Sequence, residues 1–416
     1  MTAAASLPSS ISSSPIGGSR ELTLLLQLCA FPGEAQPGPH QFNGEIDWEQ
    51  FCLLASYHRL APVVCHRLQQ SSDLVPAQAL IRLQKSARGT AQQNLRLASE
   101  LIRVLQRLQA DGIPAVAYKG PALSQLLYGD LSLRPSGDLD ILVSPAQFET
   151  ARAALAALGY ETVMNLPPAQ TQAWLRDERM LDLSSSQTLA YLDLHCGIVP
   201  RRYCIDFQMD SLLERSVPLS LASQDVRSLA PEDLLLVLSV HGSKHGWERL
   251  LWLADIARLL RAYALDWDLV VVRARGLRIE RIVLLALYLA HQFVAAEIPA
   301  TLLAACEGDA VVRHSAGRVA SSWDAPGVEL PGSERQLSRW LLLFSLREDF
   351  RDRFRSLWRY AVTPGLEDWN SLPLPRQVGA LYPAWRLLRI GGQLARGGAG
   401  RLRPRRKLEL ARQTVS

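Results

Sequence analysis

Three aspartates in two short segments could hold a divalent cation. Asp138 and Asp140 alternate with leucine and isoleucine in GDLDILV, and Asp193 lies in LDLHCG. Side chains alternate between the faces of a β-strand, so Asp138 and Asp140 share one face. Carboxylates this close repel each other and resist burial unless a positive charge compensates them. Mg²⁺ is typically bound by one or two carboxylates with water and phosphate oxygens, so the pattern predicts a magnesium site.

A glycine upstream adds a second chemical feature. Gly120 ends the apolar run IPAVAYKG, which predicts a buried strand, and Pro121 begins the predicted helix PALSQLLYG. Backbone N–H groups at such a helix start can approach a phosphate, helped by the missing Cβ of glycine. An isolated D-x-D is more often a solvated strand end, and a strand–Gly–helix junction is commoner still. Here the strand–Gly–helix junction is followed by the D-x-D strand and then by a later strand with one acid. Two-metal phosphoryl transfer needs this set of groups.

Two basic residues flank the predicted metal site. Lys119 and Arg134 are candidates for neutralising phosphate charge. The alternative places Lys119 at a strand end in solvent and pairs Arg134 with Asp130. The two interpretations have about equal weight.

Histidines and a lysine further along are secondary candidates. His195 shares a face with Asp193 and could position a ligand, although a strand histidine more often satisfies a neighbour. In VHGSKHGWERLLW, His241 and His245 have the i, i+4 spacing of the zinc motif H-E-x-x-H. The glutamate of that motif is absent, because Gly242 follows His241. The two glycines of that segment favour a helix break instead, with Lys244 and His245 facing the cleft and contacting nucleotide or acceptor. Asp255 is expected to pair with Arg258 or cap a helix.

The segments that contain these residues also resemble a known family. YKGPALSQLLYGDLSLRPSGDLDILV resembles the DNA polymerase β-like nucleotidyltransferase superfamily, whose signature is a Gly-containing strand–helix turn, D-x-D and a third acid. With LDLHCGI and PEDLLLVLSVHGSKHGWERLLWLADIARLL, it looks more like a poorly characterised bacterial nucleotidyltransferase family. The resemblance covers roughly residues 47–260. It implies metal ligation and catalysis by Asp138, Asp140 and Asp193, with the triphosphate near Gly120.

The resemblance implies transfer of a nucleoside monophosphate from an NTP, expected to be ATP, with two Mg²⁺ ions. The acceptor would be a small molecule or a protein. Pro121 stands where the superfamily usually has Gly or Ser, which removes one N–H donor from the phosphate grip. The alternative is a catalytically weak or inactive accessory protein of the same fold that binds a biosynthetic partner. A third candidate, an antitoxin-like enzyme that modifies protein or RNA, fits the length poorly.

Composition excludes several other classes. The 416 residues are 48% hydrophobic and 20% charged, with a net charge of +5, which is typical of a soluble globular protein and does not indicate nucleic-acid binding. Six scattered cysteines without a CxxC pair predict free thiols and a cytoplasmic location. The N-terminus lacks the pattern of a signal peptide, and the apolar run at 282–290 is too short to span a bilayer.

The pattern of elements predicts an α+β protein with a small mixed-sheet nucleotidyltransferase core flanked by N-terminal and C-terminal helical regions. The expected divisions are a disordered N-terminus at 1–20, a helical region at 21–110, the α/β core at 111–230, a second helical region at 231–370 and an Arg-rich tail at 371–416.

Overall fold

The computed structural model describes residues 18–30, 45–164, 166–324, 332–372 and 381–400. The disorder predicted for the N-terminus falls mainly on residues 1–17, and much of the predicted Arg-rich tail falls on 401–416. Both segments lie outside the described residues.

One five-stranded sheet forms the centre of the fold. Its strands are β1 Ala115–Ala117, β2 Leu139–Val143, β3 Tyr160–Thr162, β4 Met180–Ser185 and β5 Ala190–His195. Their order is β1-β2-β5-β4-β3, with β2 parallel to β5 and the other neighbours antiparallel. A separate hairpin pairs β6 Val217–Leu221 with β7 Gln224–Ser228. The predicted α+β class with a small mixed sheet is therefore confirmed.

Helices precede the sheet, connect its strands and follow it. They are α1 Arg20–Cys29, α2 Trp48–Tyr57, α3 Ala61–Leu68, α4 Ala77–Ala110, α5 Gly120–Tyr128, α6 Phe148–Ala157, α7 Pro168–Glu178, α8 Met209–Glu214, α9 Pro231–Lys244, α10 Leu250–Ala262, α11 Trp267–Leu277, α12 Glu280–Val294, α13 Ala300–Gly308, α14 Ala310–Ala320, α15 Gly332–Ser345, α16 Phe350–Val362, α17 Leu366–Ser371 and α18 Tyr382–Gly400. Helix α18 lies inside the predicted Arg-rich tail. In the part of the chain that the structure describes, no helix combines the length and apolarity that crossing a membrane requires.

The two faces of the sheet pack against different hydrophobic cores. Leu139, Ile141 and Val143 of β2 point toward one core, which α4 and α6 complete. Leu142 points the other way and joins a larger core built mainly from the helical regions. This alternation follows from the two-residue period of a strand. Acidic side chains on the second face therefore lie at the boundary between the sheet and the helices.

The break between α9 and α10 is held by a buried tryptophan. Trp247 is fully buried, and a Cβ added to Gly242 of α9 would lie 2.5 Å from its ring. The Trp323 indole N–H donates to the Trp247 carbonyl at 2.7 Å. His58 joins the same cluster, because its Nε2 lies 2.9 Å from the Trp323 carbonyl and the Leu250 N–H donates to its Nδ1 at 3.3 Å. The cluster therefore fixes the α2–α3 turn and the α9–α10 loop against each other.

Replacing Gly242 with alanine tests this packing. We expect Gly242→Ala to lower the free energy of unfolding by about 1–3 kcal/mol, because the added methyl overpacks the site against the ring of Trp247. Gly276→Ala on α11 is the control, since no atom lies within 4 Å of its added Cβ. That control should be neutral or stabilise the protein by up to about 1 kcal/mol. Urea denaturation of both variants measures the difference, and equal stabilities would contradict the packing described.

Candidate functional site

Strand register brings three carboxylates together on one face of the sheet. Asp140 of β2 pairs in register with Asp193 of β5, and Asp182 of β4 pairs with Asp193 from the other side. Residues in register on neighbouring strands project from the same face, about 4.8 Å apart. The three side chains therefore form a row across the middle of the sheet, on the face opposite the α4–α6 core.

Lys119 supplies the positive charge nearest to this row. It precedes α5, and its Nζ lies 2.6 Å from Oδ1 of Asp140. Both side chains are largely buried, with exposed fractions of 16% for Lys119 and 5% for Asp140. Burial alone would raise the pKa of Asp140, but the Lys119 ammonium and His195 hold this pKa below its ordinary value. Lys119 is thus neither at a solvent-exposed strand end nor separate from the acids.

The remaining acids of the row are less well compensated. Burial first, and then the charges of Asp140, Asp138 and Asp182, raise the pKa of Asp193 to about 8. Burial also raises the pKa of Asp182, against a hydrogen bond with Asp193 that lowers it. The repulsion among these groups is the kind that a bound cation relieves.

His195 has an unsatisfied nitrogen in this environment. Its Nε2 lies 3.4 Å from Oδ1 of Asp140 but has no hydrogen-bond partner, although the side chain is only 7% exposed. The ring packs edge-on against Tyr118, with centroids 5.6 Å apart. Burial lowers the pKa of His195, which favours the neutral imidazole that can ligate a metal.

These groups have the donor set of a metal site. One ligand atom each from Asp140, Asp193 and His195 lie within 4.8 Å of one another. The two carboxylates suit Mg²⁺ and Mn²⁺, whereas an imidazole ligand is more usual for transition-metal ions than for the predicted Mg²⁺. The buried Nε2 without a partner is the observation that fits a ligand best. The sequence predicted Asp138 as a ligand and favoured a structural role for His195, whereas this group contains His195 and not Asp138.

Asp138 lies immediately before β2, beside this group. Burial and then the charge of Asp140 raise the pKa of Asp138, while Lys119 and Arg59 oppose the shift. Among the described residues, no hydrogen bond or ion pair engages its side chain. Its carboxylate is therefore available to a further ligand.

Gly120 has a clear structural requirement at the start of α5. Its φ is +59°, and an added Cβ would lie 2.8 Å from the carbonyl oxygen of Asp138. Only glycine meets both conditions without strain. The helix start is thereby held directly against the chain that leads into the acidic strand.

Helix α9 contributes a lysine above the acidic face. The charge of Lys244 lowers the pKa of both Asp182 and His195, so its ammonium lies within electrostatic range of the row. Burial lowers the pKa of Lys244 to about 8, and nearby Lys119 adds to the shift. Within the described part of the chain, Lys244 has no ion-pair partner. The predicted helix break after α9 is present, with α10 beginning at Leu250.

His245 lies in an aromatic group beside that lysine. Its ring centroid is 4.6 Å from that of His241 and 5.3 Å from that of Trp252. Burial lowers the pKa of both histidines well below the ordinary value. The group therefore offers neutral ring faces and nitrogens rather than positive charge.

Arg134 has a partner that the sequence did not predict. Its Nε and Nη2 each donate to the Asp255 carboxylate at 2.9 Å, and Tyr128 donates to the same carboxylate at 2.9 Å. Of the two interpretations of Arg134, the pairing with Asp130 is wrong, because α10 packs against α5 and brings Asp255 to the buried guanidinium. Removing one partner of such a buried pair costs about 3–5 kcal/mol. Arg134 thus anchors the segment that leads into Asp138.

Two residues of the site were not predicted from the sequence. Asp182 lies in MLDLSS, whose alternation of leucines with polar residues is typical of a half-buried strand. Arg59 lies at the α2–α3 turn, 79 positions before Asp138, and has a left-handed φ of 58°. No motif in the sequence connects this turn with Asp138. Only the fold places its charge near Asp138.

Comparison with known families agrees with the sequence motifs. Residues 44–295, more than half of the chain, match the family described as "Uncharacterised nucleotidyltransferase". The predicted resemblance over roughly residues 47–260 is therefore confirmed. None of the curated proteins matches the chain.

Mn²⁺ binding tests the donor set directly. We expect calorimetric titration to show saturable binding that weakens more than about 100-fold in Asp140→Asn and Asp193→Asn, since each change removes a ligand oxygen rather than a supporting partner. Asp182→Asn should weaken binding by about tenfold, because Asp182 acts through its contact with Asp193.

The exposed Asp225→Asn on β7 is the matched control and should bind Mn²⁺ like the native protein. Equal losses in all four variants would show that binding is unspecific.

Proposed function

We propose, on the premise that the chain belongs to the uncharacterised nucleotidyltransferase family, that it transfers a nucleoside monophosphate from an NTP to an acceptor with release of pyrophosphate. The observation that carries the proposal is the register of Asp140 with Asp193 beside the unpartnered Nε2 of His195. Family membership supports the reaction class and an NTP substrate. The ligand set supports metal dependence.

The proposed metal is Mg²⁺, held by the carboxylates of Asp140 and Asp193, with His195 beside them as a further ligand for a transition-metal ion such as Mn²⁺. Asp138, which has no partner among the described residues, is the proposed ligand for a second ion. When bound, the ions would neutralise phosphate charge and make the acceptor oxygen easier to deprotonate. Lys119 keeps Asp140 ionised and oriented, because its ammonium donates to the carboxylate oxygen at 2.6 Å.

The triphosphate is proposed to lie between α5 and the α9–α10 loop. The start of α5 at Gly120 offers backbone N–H groups and the positive end of a helix dipole. Lys244 supplies an ammonium without a carboxylate partner from the other side, and Arg59 extends the positive charge near Asp138. His245 and Trp252 would contact the nucleoside or the acceptor with their rings.

The chemistry asks little of the protein beyond position and charge. The acceptor oxygen forms a bond to the α-phosphorus while the bond to pyrophosphate breaks, and the acceptor loses its proton. Phosphoryl transfer of this kind depends mainly on alignment and on electrostatic stabilisation of the developing charge. The proposed residues supply both from rigid elements, two strands and two helix ends.

Label transfer tests the proposed reaction. Native protein is incubated with Mg²⁺, a cell extract and each of four α-labelled NTPs in turn, with ATP as the proposed substrate. We expect label to become attached to a component of the extract and pyrophosphate to appear. Asp140→Asn should lower the rate about 1000-fold, since lost metal stabilisation of several kcal/mol reduces a rate tenfold for each 1.4 kcal/mol.

Lys244→Met should instead raise the KM for the NTP about 10- to 100-fold, the usual loss for a hydrogen bond to a charged group. Exposed Arg318→Ala on α14 is the control and should retain native rates. Binding of Mg-NTP without transfer of label in any extract would overturn the proposed enzymatic reaction. It would favour an accessory protein of the same fold.

A further inference from the structure

A cavity of about 640 Å³ lies between α7 and the C-terminal helices. Helix α7 forms one wall, and the end of α16, the start of α18 and Trp369 of α17 form the other. Its volume is in the range of pockets that enclose a small molecule. Nothing in the metal-binding group or the proposed triphosphate site uses this cavity.

Arginines dominate the charge of the cavity lining. Arg176 comes from α7, Arg201 from the turn before α8, and Arg359 from α16. Arg176 and Arg201 have no ion-pair partner within the described ranges, and Arg359 donates to the Arg201 carbonyl at 2.8 Å. The one carboxylate in the lining, Asp177, is engaged by Arg202 at 2.5 Å. The cavity is therefore positively charged. Its charges are guanidinium groups, whose planar arrangement of N–H donors matches the oxygens of a phosphate or carboxylate.

The opposite wall is aromatic and firmly held. Trp369 and Tyr382 are buried, with exposed fractions of 5% each. The neighbouring Asp368 accepts from Arg386 and from Arg389 at 2.7 Å, which ties α17 to α18. A rigid aromatic wall suits a flat or apolar body, and the arginines suit an anionic end.

Contacts connect the cavity to the acidic row. Arg202 Nη1 donates to Asp177 and also to Glu178 at 2.5 Å. Glu178 in turn lies close enough to Lys244 and Asp182 for its charge to act on both. Asp177 and Asp182 are five residues apart, so at most about 18 Å separates their Cα atoms. The cavity wall at Asp177 is therefore linked through Arg202 and Glu178 to the part of the sheet that carries the acidic row.

We propose that this cavity binds the acceptor, and that the acceptor carries a phosphate or carboxylate group on a flat or apolar body. This inference rests on the proposed function. Arg176, Arg201 and Arg359 hold the anionic end, and a hydroxyl at the other end faces the acidic row. Its oxygen forms the bond to the α-phosphorus of the NTP, its proton leaves to solvent, and pyrophosphate departs with the electron pair of the broken bond.

Phenyl phosphate is the probe for this site, because it combines a dianionic group with a flat ring. Calorimetric titration of the full chain should show saturable binding, and the double variant Arg176→Ala/Arg201→Ala should weaken it at least tenfold. Both arginines lack side-chain hydrogen bonds among the described residues, so the double variant should fold. Arg318→Ala removes another exposed arginine, from α14, and should bind like the native protein.

Benzoate and phenol separate the possible ligand groups. Tighter binding of phenyl phosphate than benzoate assigns a phosphate to the acceptor, and the reverse assigns a carboxylate. Phenol should not bind measurably. Absence of saturable binding by both anions, or binding unchanged in the double variant, would overturn the proposal.

Two further titrations separate this inference from the proposed reaction. Excess Mg-ATP should leave phenyl phosphate binding unchanged, whereas competition would place the nucleotide in the cavity and overturn an acceptor site. Asp140→Asn should bind phenyl phosphate like the native protein even if label transfer fails.

Discussion

The compensation of buried negative charge is the constraint on which the candidate site depends. Asp140, Asp193 and Asp182 lie in register across three neighbouring strands, and Asp138 lies beside them. Such a row is unfavourable in a largely buried position without positive charge. Lys119 meets part of this need through its 2.6 Å contact with Asp140. Asp138, Asp182 and Asp193, which have no such contact, are the carboxylates whose pKa values lie above the ordinary value.

The surrounding fold fixes the residues that make this compensation possible. Gly120 lets α5 begin against the Asp138 carbonyl, which places Lys119 over the sheet. On the other side, Gly242 accommodates the Trp247 ring, which sets the end of α9 and therefore Lys244. Glycine at these two positions serves close packing around the acids. The helical regions thus complete a site that the sheet alone could not hold.

Much of the site could be predicted from the sequence because its motifs are local. The alternation of Asp138 and Asp140 with apolar residues indicated a strand, and a third acid in LDLHCG indicated another. Strand pairing is not local, so the sequence could not show that β2 and β5 are adjacent and parallel. Asp182 was missed for the same reason, because its strand matters only as a neighbour of β5.

Long-range side-chain partners were the least predictable part of the structure. The local pairing considered for Arg134 was with Asp130, but Arg134 contacts Asp255, 121 residues away. The family resemblance gave the order of the motifs and their reaction class, not the contacts between helical regions. The predicted domain divisions at 110, 230 and 370 stay predictions, since one large core extends from α1 to α15.

Anomalous diffraction from crystals soaked in Mn²⁺ tests the central claim most directly. The account predicts a peak within bonding distance of the Asp140 and Asp193 carboxylates and of Nε2 of His195. A map with no peak at these three residues, and with Lys119 still on Asp140 at saturating Mn²⁺, would contradict it.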